Sequence, residues 1–298
     1  MSCAGLSHNQ PKFSSNAHWN PYAVTMTNGT LTLSYRPKGI FVSKSNRWYV
    51  SGDGFRPILS GIGGSGTLTT VGYGGYCIFV SDDGDMYTYD DGNTQVTRRP
   101  VNSTSSEPVM VMSGQCHGVF VDASNTLYCS VREMHQVVAR SLLDSTNTLR
   151  TVAGTGCSES TSNSLANPMG IFVDQNFTLY VADSANNRIQ RFLSGETNGG
   201  TMAGNGAPDT ISLNNPTDVI LDGAGYLFIV DSSNHRIFGS GPNGFRCVVG
   251  CLSAAGSASN QLSHPQTMSF DSDGNIWVVD GDNWRIQKFI VINTVPCK

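Results

Sequence analysis

Along most of the chain, short apolar runs alternate with turns rich in Asn, Asp, Ser and Gly. The stretch from Asn167, NPMGIFVDQNFTLYVADSANNRIQRF, sets the pattern. GIFVD meets a polar turn, LYVAD meets a second, and RIQRF then alternates apolar with polar. Two apolar runs joined by a short polar turn predict a β-hairpin, and strict alternation predicts a strand with one buried face. A fourth short run recurs as TVAG at Thr151, TMAG at Thr201 and CVVG at Cys247.

The whole pattern returns along the chain. Clear copies begin at Asn215 (NPTDVILDGAGYLFIVDSSNHRIF) and His264 (HPQTMSFDSDGNIWVVDGDNWRIQKF). Worn copies begin at Arg36 (RPKGIFVSKSNRWYVSGDG), Gly75 (GYCIFVSDDGDMYTYDDG) and Cys116 (CHGVFVDASNTLYCSVREMHQVV). Equivalent core positions are Val42, Val80, Val121, Val173, Leu221 and Phe270, spaced by 38, 41, 52, 48 and 49 residues. Four antiparallel strands per ~45 residues predict one propeller blade. A blade cannot bury both faces of its sheet alone, so blades pack on neighbours around a ring.

The expected fold class is therefore all-β: a six-bladed β-propeller of four-stranded antiparallel blades, one domain over residues 1–298. Residues 1–19 form an extension, 20–35 a closing region, and blades start near 36, 75, 116, 167, 215 and 264. After the last RIQKF the chain ends at Lys298, which leaves the sixth blade without its fourth strand. Counting back from Pro37 by the spacing of the clear copies lands on YAVTM, Tyr22–Met26. This N-terminal strand is expected to complete the last blade and close the ring.

Composition narrows the function classes. Charged residues make up 13%, about half the usual share of ~25%. A net charge of −4, a pI near 5.8 and only 18 Lys plus Arg argue against nucleic acid, which needs a clustered basic face. A weakly charged surface offers little repulsion between copies and favours association. No apolar run reaches the ~18 residues of a membrane span. The first residues, MSCAGLSHNQ, lack the apolar core of a signal peptide, so a secreted protein is expected here in trimmed form.

Eight cysteines, an even number without the spacing of a zinc site, predict disulfides in an oxidising, extracellular compartment. Cys247 and Cys251 stand four residues apart, and Cys116 and Cys129 flank one hairpin. Cys3 and Cys297 lie near the two termini, which leaves Cys77 with Cys157. Sequons at Asn28, Asn102 and Asn176 are glycosylation candidates; Asn102 falls in a Ser-rich loop and Asn176 at a hairpin tip.

The most conspicuous polar residues are three sets: Asp183, Asn186 and Arg188; Asp231, Asn234 and Arg236; Asp280, Asn283 and Arg285. A site used for chemistry should be singular, whereas these recur. They are read as structural, hydrogen-bonding the turn between second and third strands and pairing charges between blades. The six histidines do not recur at one repeat position. His117 opens an inner strand and is the one weak candidate for a channel metal ligand; no catalytic residue, resident metal or other cofactor is assigned. GIGGSG from Gly61 lacks the Lys-Ser/Thr and helix of a phosphate loop. The run DDGDMYTYDDG lacks the spacing of an EF-hand and reads as two exposed turns.

The pattern Pro-x-Gly-Ile-x-Val-Asp, followed by Leu-Tyr-Val-Ala-Asp-Ser-x-Asn-x-Arg-Ile, resembles the NHL repeat. The resemblance spans about residues 20–292, is most specific in the last three copies, and implies a six-bladed NHL β-propeller. The closing segment, FRCVVGCLSAAGSASNQLSHPQTMSFDSDGNIWVVDGDNWRIQKF, resembles secreted cysteine-bearing NHL proteins of small aquatic invertebrates. That family covers binding scaffolds, sensor domains, RNA binders and lyases, so fold alone does not deliver function. The leading expectation is an extracellular, non-enzymatic binding or scaffold propeller with a protein partner, attached glycans or copies of itself. A self-assembling subunit of a fibre or matrix fits the weak surface charge. The alternative is a metal-dependent lyase or hydrolase with its site in the channel near His117. RNA binding comes third.

Overall fold

In the computed structural model, residues 9–26, 33, 35–54, 56–62, 69–146, 148–207 and 210–292 are described. Six hairpins share one turn. In each, the residue closing the GIFVD-type run caps the backbone two to four positions on. Asp122 Oδ1 accepts from Ser124 N and Thr126 N, Asp174 Oδ1 from Asn176 N and Thr178 N, and Asp222 Oδ1 from Ala224 N and Tyr226 N. Asp271 repeats this toward Asp273 and Asn275, and in the first two copies Ser43 and Ser81 do it with a hydroxyl. The fourth turn residue is left-handed in all six: Asn46, Gly84, Asn125, Phe177, Gly225 and Gly274 have φ between 56° and 89°. Gly and Asn suit that region; Phe177 does not.

The hairpins extend into antiparallel sheets. Four sheets have four strands each: Cys116–Val121, Thr126–Val131, Gln136–Ser141 and Arg150–Ala153 form one, and Pro168–Val173 through Gly200–Gly204 form the next. Pro216–Leu221 through Arg246–Val249 form the third. The fourth orders Pro265–Phe270, Ile276–Asp280, Arg285–Phe289 and Val24–Thr25. The expectation of six separate four-stranded blades is thereby corrected. Residues 37–111 instead make one seven-stranded sheet, because Thr69–Val80 is a single long strand. Its first half pairs with Arg56–Ile62 and its second with Met86–Asp90.

The expected closing strand is also corrected in extent. Of Tyr22–Met26, only Val24 and Thr25 pair as a strand, opposite Lys288 and Gln287. A further two-residue ladder joins His18–Trp19 to Val291–Ile292.

The innermost strands pack side by side in sequence order. Pro37–Val42 touches Thr69–Val80, that strand touches Cys116–Val121, and so on to Pro265–Phe270, which packs against Pro37–Val42 again. They enclose a central channel. Close approach between strands demands small residues: a Cβ added to Gly170 would stand 2.2 Å from Asp218 Oδ1, and one on Gly118 would stand 2.6 Å from Met169 O. The apolar core fills the wedges between sheets, with Trp48, Tyr89, Phe192, Phe270, Trp277 and Phe289 nearly inaccessible. Residues 9–13 run across one end of the channel. Asn9 Nδ2 donates to Val42 O, Ser43 O and Phe270 O, and Gln10 Nε2 donates to Leu221 O.

Candidate functional site

The three Asp–Asn–Arg sets form three copies of one network. Asp183 Oδ2 accepts from Arg188 Nε at 2.7 Å and Asn186 Nδ2 at 2.9 Å, while its Oδ1 accepts from Ala166 N. Arg188 then donates to Ser160 O, Thr161 O and Ser164 O. Asp231 with Asn234 and Arg236, and Asp280 with Asn283 and Arg285, repeat it, capping Asn214 N and Ser263 N. One carboxylate thus ties each sheet to the loop that enters it. The expected charge pairing between blades is corrected: each Asp and Arg are register partners on neighbouring strands of one sheet. All three aspartates are fully buried. Burial pushes the Asp183 and Asp280 carboxyls up against the opposing pull of these hydrogen bonds.

Directly before the third strand stands a left-handed residue that reaches the next unit. His135 Nδ1 accepts from Asn167 N, Asn187 Oδ1 from Asn215 N, and His235 Nδ1 from His264 N. These groups recur from sheet to sheet.

Two of the expected cysteine pairs, Cys116 with Cys129 and Cys247 with Cys251, stand at disulfide distance, with Cα atoms 5.6 and 5.7 Å apart. The pairing of Cys77 with Cys157 is corrected. Cys77 is buried on an inner strand, its thiol pushed up to about 12 by burial, and Cys157 lies exposed in a loop; among the described residues neither is bonded to another cysteine. Cys3, Cys297 and Asn28 lie outside the described residues. Asn102 and Asn176 are exposed at turns. The acidic run supplies two turns, Ser81–Gly84 and Asp90–Asn93.

Singular chemistry is found inside the channel. Its fifth inner-strand position is apolar in five of the six copies: Phe41, Phe79, Phe120 and Phe172 pack at centroid distances of 5.5, 5.2 and 5.2 Å, followed by Ile220, with Ser269 as the sixth. The third position is Gly39, Cys77, Gly118, Gly170, Asp218 and Thr267. Asp218 is the odd member. Buried among these strands, its carboxyl is pushed up to about 7 by desolvation. It accepts from Val219 N and, across the gap between sheets, from Met268 N at 3.0 Å.

At the second position the repeat breaks completely: Lys38, Tyr76, His117, Met169, Thr217 and Gln266. These six line a polar cavity of about 370 Å³ at the channel mouth, together with Gln115, Arg132, Asn167, Ser184, Asn215 and Thr267. Below it His117 and Thr267 also line the apolar space of about 100 Å³ ringed by the phenylalanines. The His117 side chain is 7% exposed, its ring 5.0 Å from that of Tyr76, and its Nε2 has no hydrogen-bond partner. Glu133 Oε1 stands 3.8 Å from that nitrogen. Burial holds His117 down to about 4 despite this carboxylate, with Arg132 and Lys38 adding to the depression. Lys38 is lowered by burial and then by Arg36. Among the described residues, no three His, Cys, Asp or Glu side chains group as a metal site. Among the described residues, His117 has one carboxylate beside it, Glu133, and no second imidazole.

Sequence reasoning weighed His117 alone and passed over its ring. The signal was present: aligning the six inner strands shows one column in which no residue type repeats.

No curated protein matches the chain. Solved structures share its fold. A structural genomics protein of unknown function from Bacteroides thetaiotaomicron superposes with a TM-score of 0.73 at 15% identity, over 95% of this chain and 75% of that one. A virginiamycin B lyase from Staphylococcus aureus gives 0.61 at 13% identity, over 93% and 100%. An auxiliary nutrient binding protein from Bacteroides thetaiotaomicron gives 0.67 at 14%, over 96% and 76%. At these identities the likeness is one of fold. Residues 262–289 match the family model of the NHL repeat, over the segment whose Asp280, Asn283 and Arg285 repeat the networks of the two preceding sheets; the chain is an all-β, propeller-like protein carrying an NHL repeat.

Proposed function

We propose that this chain is an extracellular, non-enzymatic binding propeller that takes a small polar ligand at its channel mouth. One observation carries the reading: the second inner-strand position holds six different side chains, while the first, fourth and sixth positions largely keep the repeat. Packing and turn formation need the same residue in each copy; recognition of one asymmetric ligand needs a different one. Fold neighbours that bind nutrients are compatible with this use of the scaffold.

The same reading takes the long strand Thr69–Val80 as belonging to two blades. That makes six blades in all, with Val24–Thr25 as the strand that joins the N-terminal segment to the last one. The two cysteine pairs at disulfide distance support an oxidising location, and exposed Asn102 and Asn176 suit glycans there. Self-association belongs to the outer surface, where Phe177 and Leu193, both exposed, line one groove with Tyr128 and Val152.

A lyase is the second reading, favoured by a neutral, unpartnered His117 with Glu133 beside it, a pair suited to proton transfer. A calorimetric screen of small polar molecules against the native chain and a Met169→Trp variant tests the main reading. Binding by the native chain that is lost in the variant, with unchanged unfolding temperature and no conversion of the bound molecule, is expected. Turnover of that molecule would favour the lyase.

A further inference from the structure

The chemistry of the mouth narrows what it binds, granted that the mouth is the binding site. Among its described lining residues the formal charges are Lys38 and Arg132, both positive. Both stand where the repeat is broken. Lys38 takes the position of Met169, Thr217 and Gln266, and Arg132 that of Ser184, Ser232 and Gly281, each the first residue of the short turn after the second strand. In those three copies the residue is small and buried; Arg132 is exposed. Most other well-packed cations of the chain have carboxylates, as Arg188, Arg236, Arg285 and Lys288 do. Lys38 and Arg132 have no ion-paired carboxylate among the described residues, although Lys38 is half-buried and lowered by burial, then by Arg36 and Arg132, against the pull of Asp53 and Asp282.

His117 is the independent observation. His117 lines this cavity, and its Nε2 is buried and unpartnered. A buried polar atom without a partner costs free energy unless something in the cavity completes it.

We propose that the channel mouth binds a small organic carboxylate as a monoanion, held by the Lys38 ammonium and the Arg132 guanidinium, with His117 Nε2 completing a hydrogen bond to the ligand. The guanidinium fork matches a carboxylate in two parallel bonds, and the ammonium adds a point charge. Glu133, beside His117, opposes a second negative charge and so disfavours a phosphate dianion. Asn167, Asn215, Gln266 and Tyr76 line the remainder of the cavity, a polar surface that suits a hydroxylated acid.

Matched probes test this by titration calorimetry of the full chain: D-glucuronate against D-glucose, lactate against lactamide, and inorganic phosphate. The acids are expected to bind at least about tenfold tighter than their neutral partners, as befits a charge-assisted pair. Lys38→Gln and Arg132→Gln should each lose about that factor while keeping the native unfolding temperature. Affinity for the acids should fall as salt rises. Neutral partners binding at the mouth as tightly as the acids, with both variants unaffected, would overturn the carboxylate assignment and leave the binding reading standing. Phosphate binding more tightly than the acids would overturn the monoanion. No probe shifting any mouth residue, in a screen widened to neutral and cationic molecules, would overturn both readings.

Discussion

His117 Nε2 lies 3.8 Å from Glu133 Oε1 and yet makes no hydrogen bond. The pair is held apart, close enough to feel each other's charge. Burial and the cations Arg132 and Lys38 keep the imidazole neutral; Glu133 and Asp91 pull the other way, and Tyr76 packs on the ring. The folded state thus binds the His117 proton less readily than the unfolded chain, whose imidazole titrates near ~6.5. The unfolded state holds more protons between about 6.5 and about 4, so His117 contributes a stability present at neutral pH and lost as pH falls through that window. Unfolding in urea at a series of pH values should show the loss, and His117→Gln should remove most of it. An imidazole that titrates near 6.5 in the folded chain, followed by NMR, contradicts this.

Asp218 works in the opposite sense. Its carboxyl is raised to about 7, so the folded state holds more protons than the unfolded chain between ~3.9 and about 7. Its contribution is full below the lower value and declines as pH rises through the window. An Asp218→Asn chain should therefore lose less stability between pH 5 and pH 8 than the native chain. The native slope minus the variant slope is the observable, and a zero difference rejects it.

The buried Asp183–Arg188 pair should be the costliest of the three networks to break. The Arg188 side chain is 6% exposed, against 21% for Arg236, and Asp183 and Asp231 are equally inaccessible. Removing one partner strands a buried charge, so Arg188→Ala is expected to cost about 3–5 kcal/mol and Arg236→Ala less. Equal losses in chemical denaturation would mean that burial of the arginine is not what sets the cost.

Phe177 carries backbone strain that a glycine relieves. It sits at φ 59° and is 40% exposed, so few contacts offset a left-handed cost of about 1–2 kcal/mol for a residue with a Cβ. Phe177→Gly should hold or raise the unfolding temperature even though glycine loosens the unfolded chain. Gly170→Ala should do the reverse, since its new Cβ meets Asp218 Oδ1 at 2.2 Å. Overpacking of this kind costs about 1–3 kcal/mol.

Strand content and order were legible because the hairpin grammar is local. GIFVD, LYVAD and RIQRF each carry their own alternation, and a capping Asp, or Ser in the first two copies, marks every turn. The boundary at Thr69–Val80 was not, since a strand that runs straight from one sheet into the next leaves no turn residues between them. The short pairing of Val24–Thr25 was only partly readable, because it depends on an edge some 260 residues away that sequence spacing locates but does not measure. Cys77 was assigned a partner by elimination, and elimination ignores burial: an inner-strand thiol packed against Cys116 O cannot reach an exposed loop. The mouth was missed for a different reason. Its residues are ordinary one by one, and Lys38, His117 and Arg132 become a set only when a ring brings them to one cavity.

The most direct measurement of the central claim is a methyl NMR titration on methionine-labelled protein. Met169 lines the mouth, whereas Met86, Met110 and Met112 lie buried in the wedges between sheets. Adding D-glucuronate, then D-glucose, should shift Met169 strongly with the acid and leave the three buried methyls in place. A Met169 signal that stays fixed with every small molecule tried, while the chain remains folded, would contradict a binding site at the channel mouth.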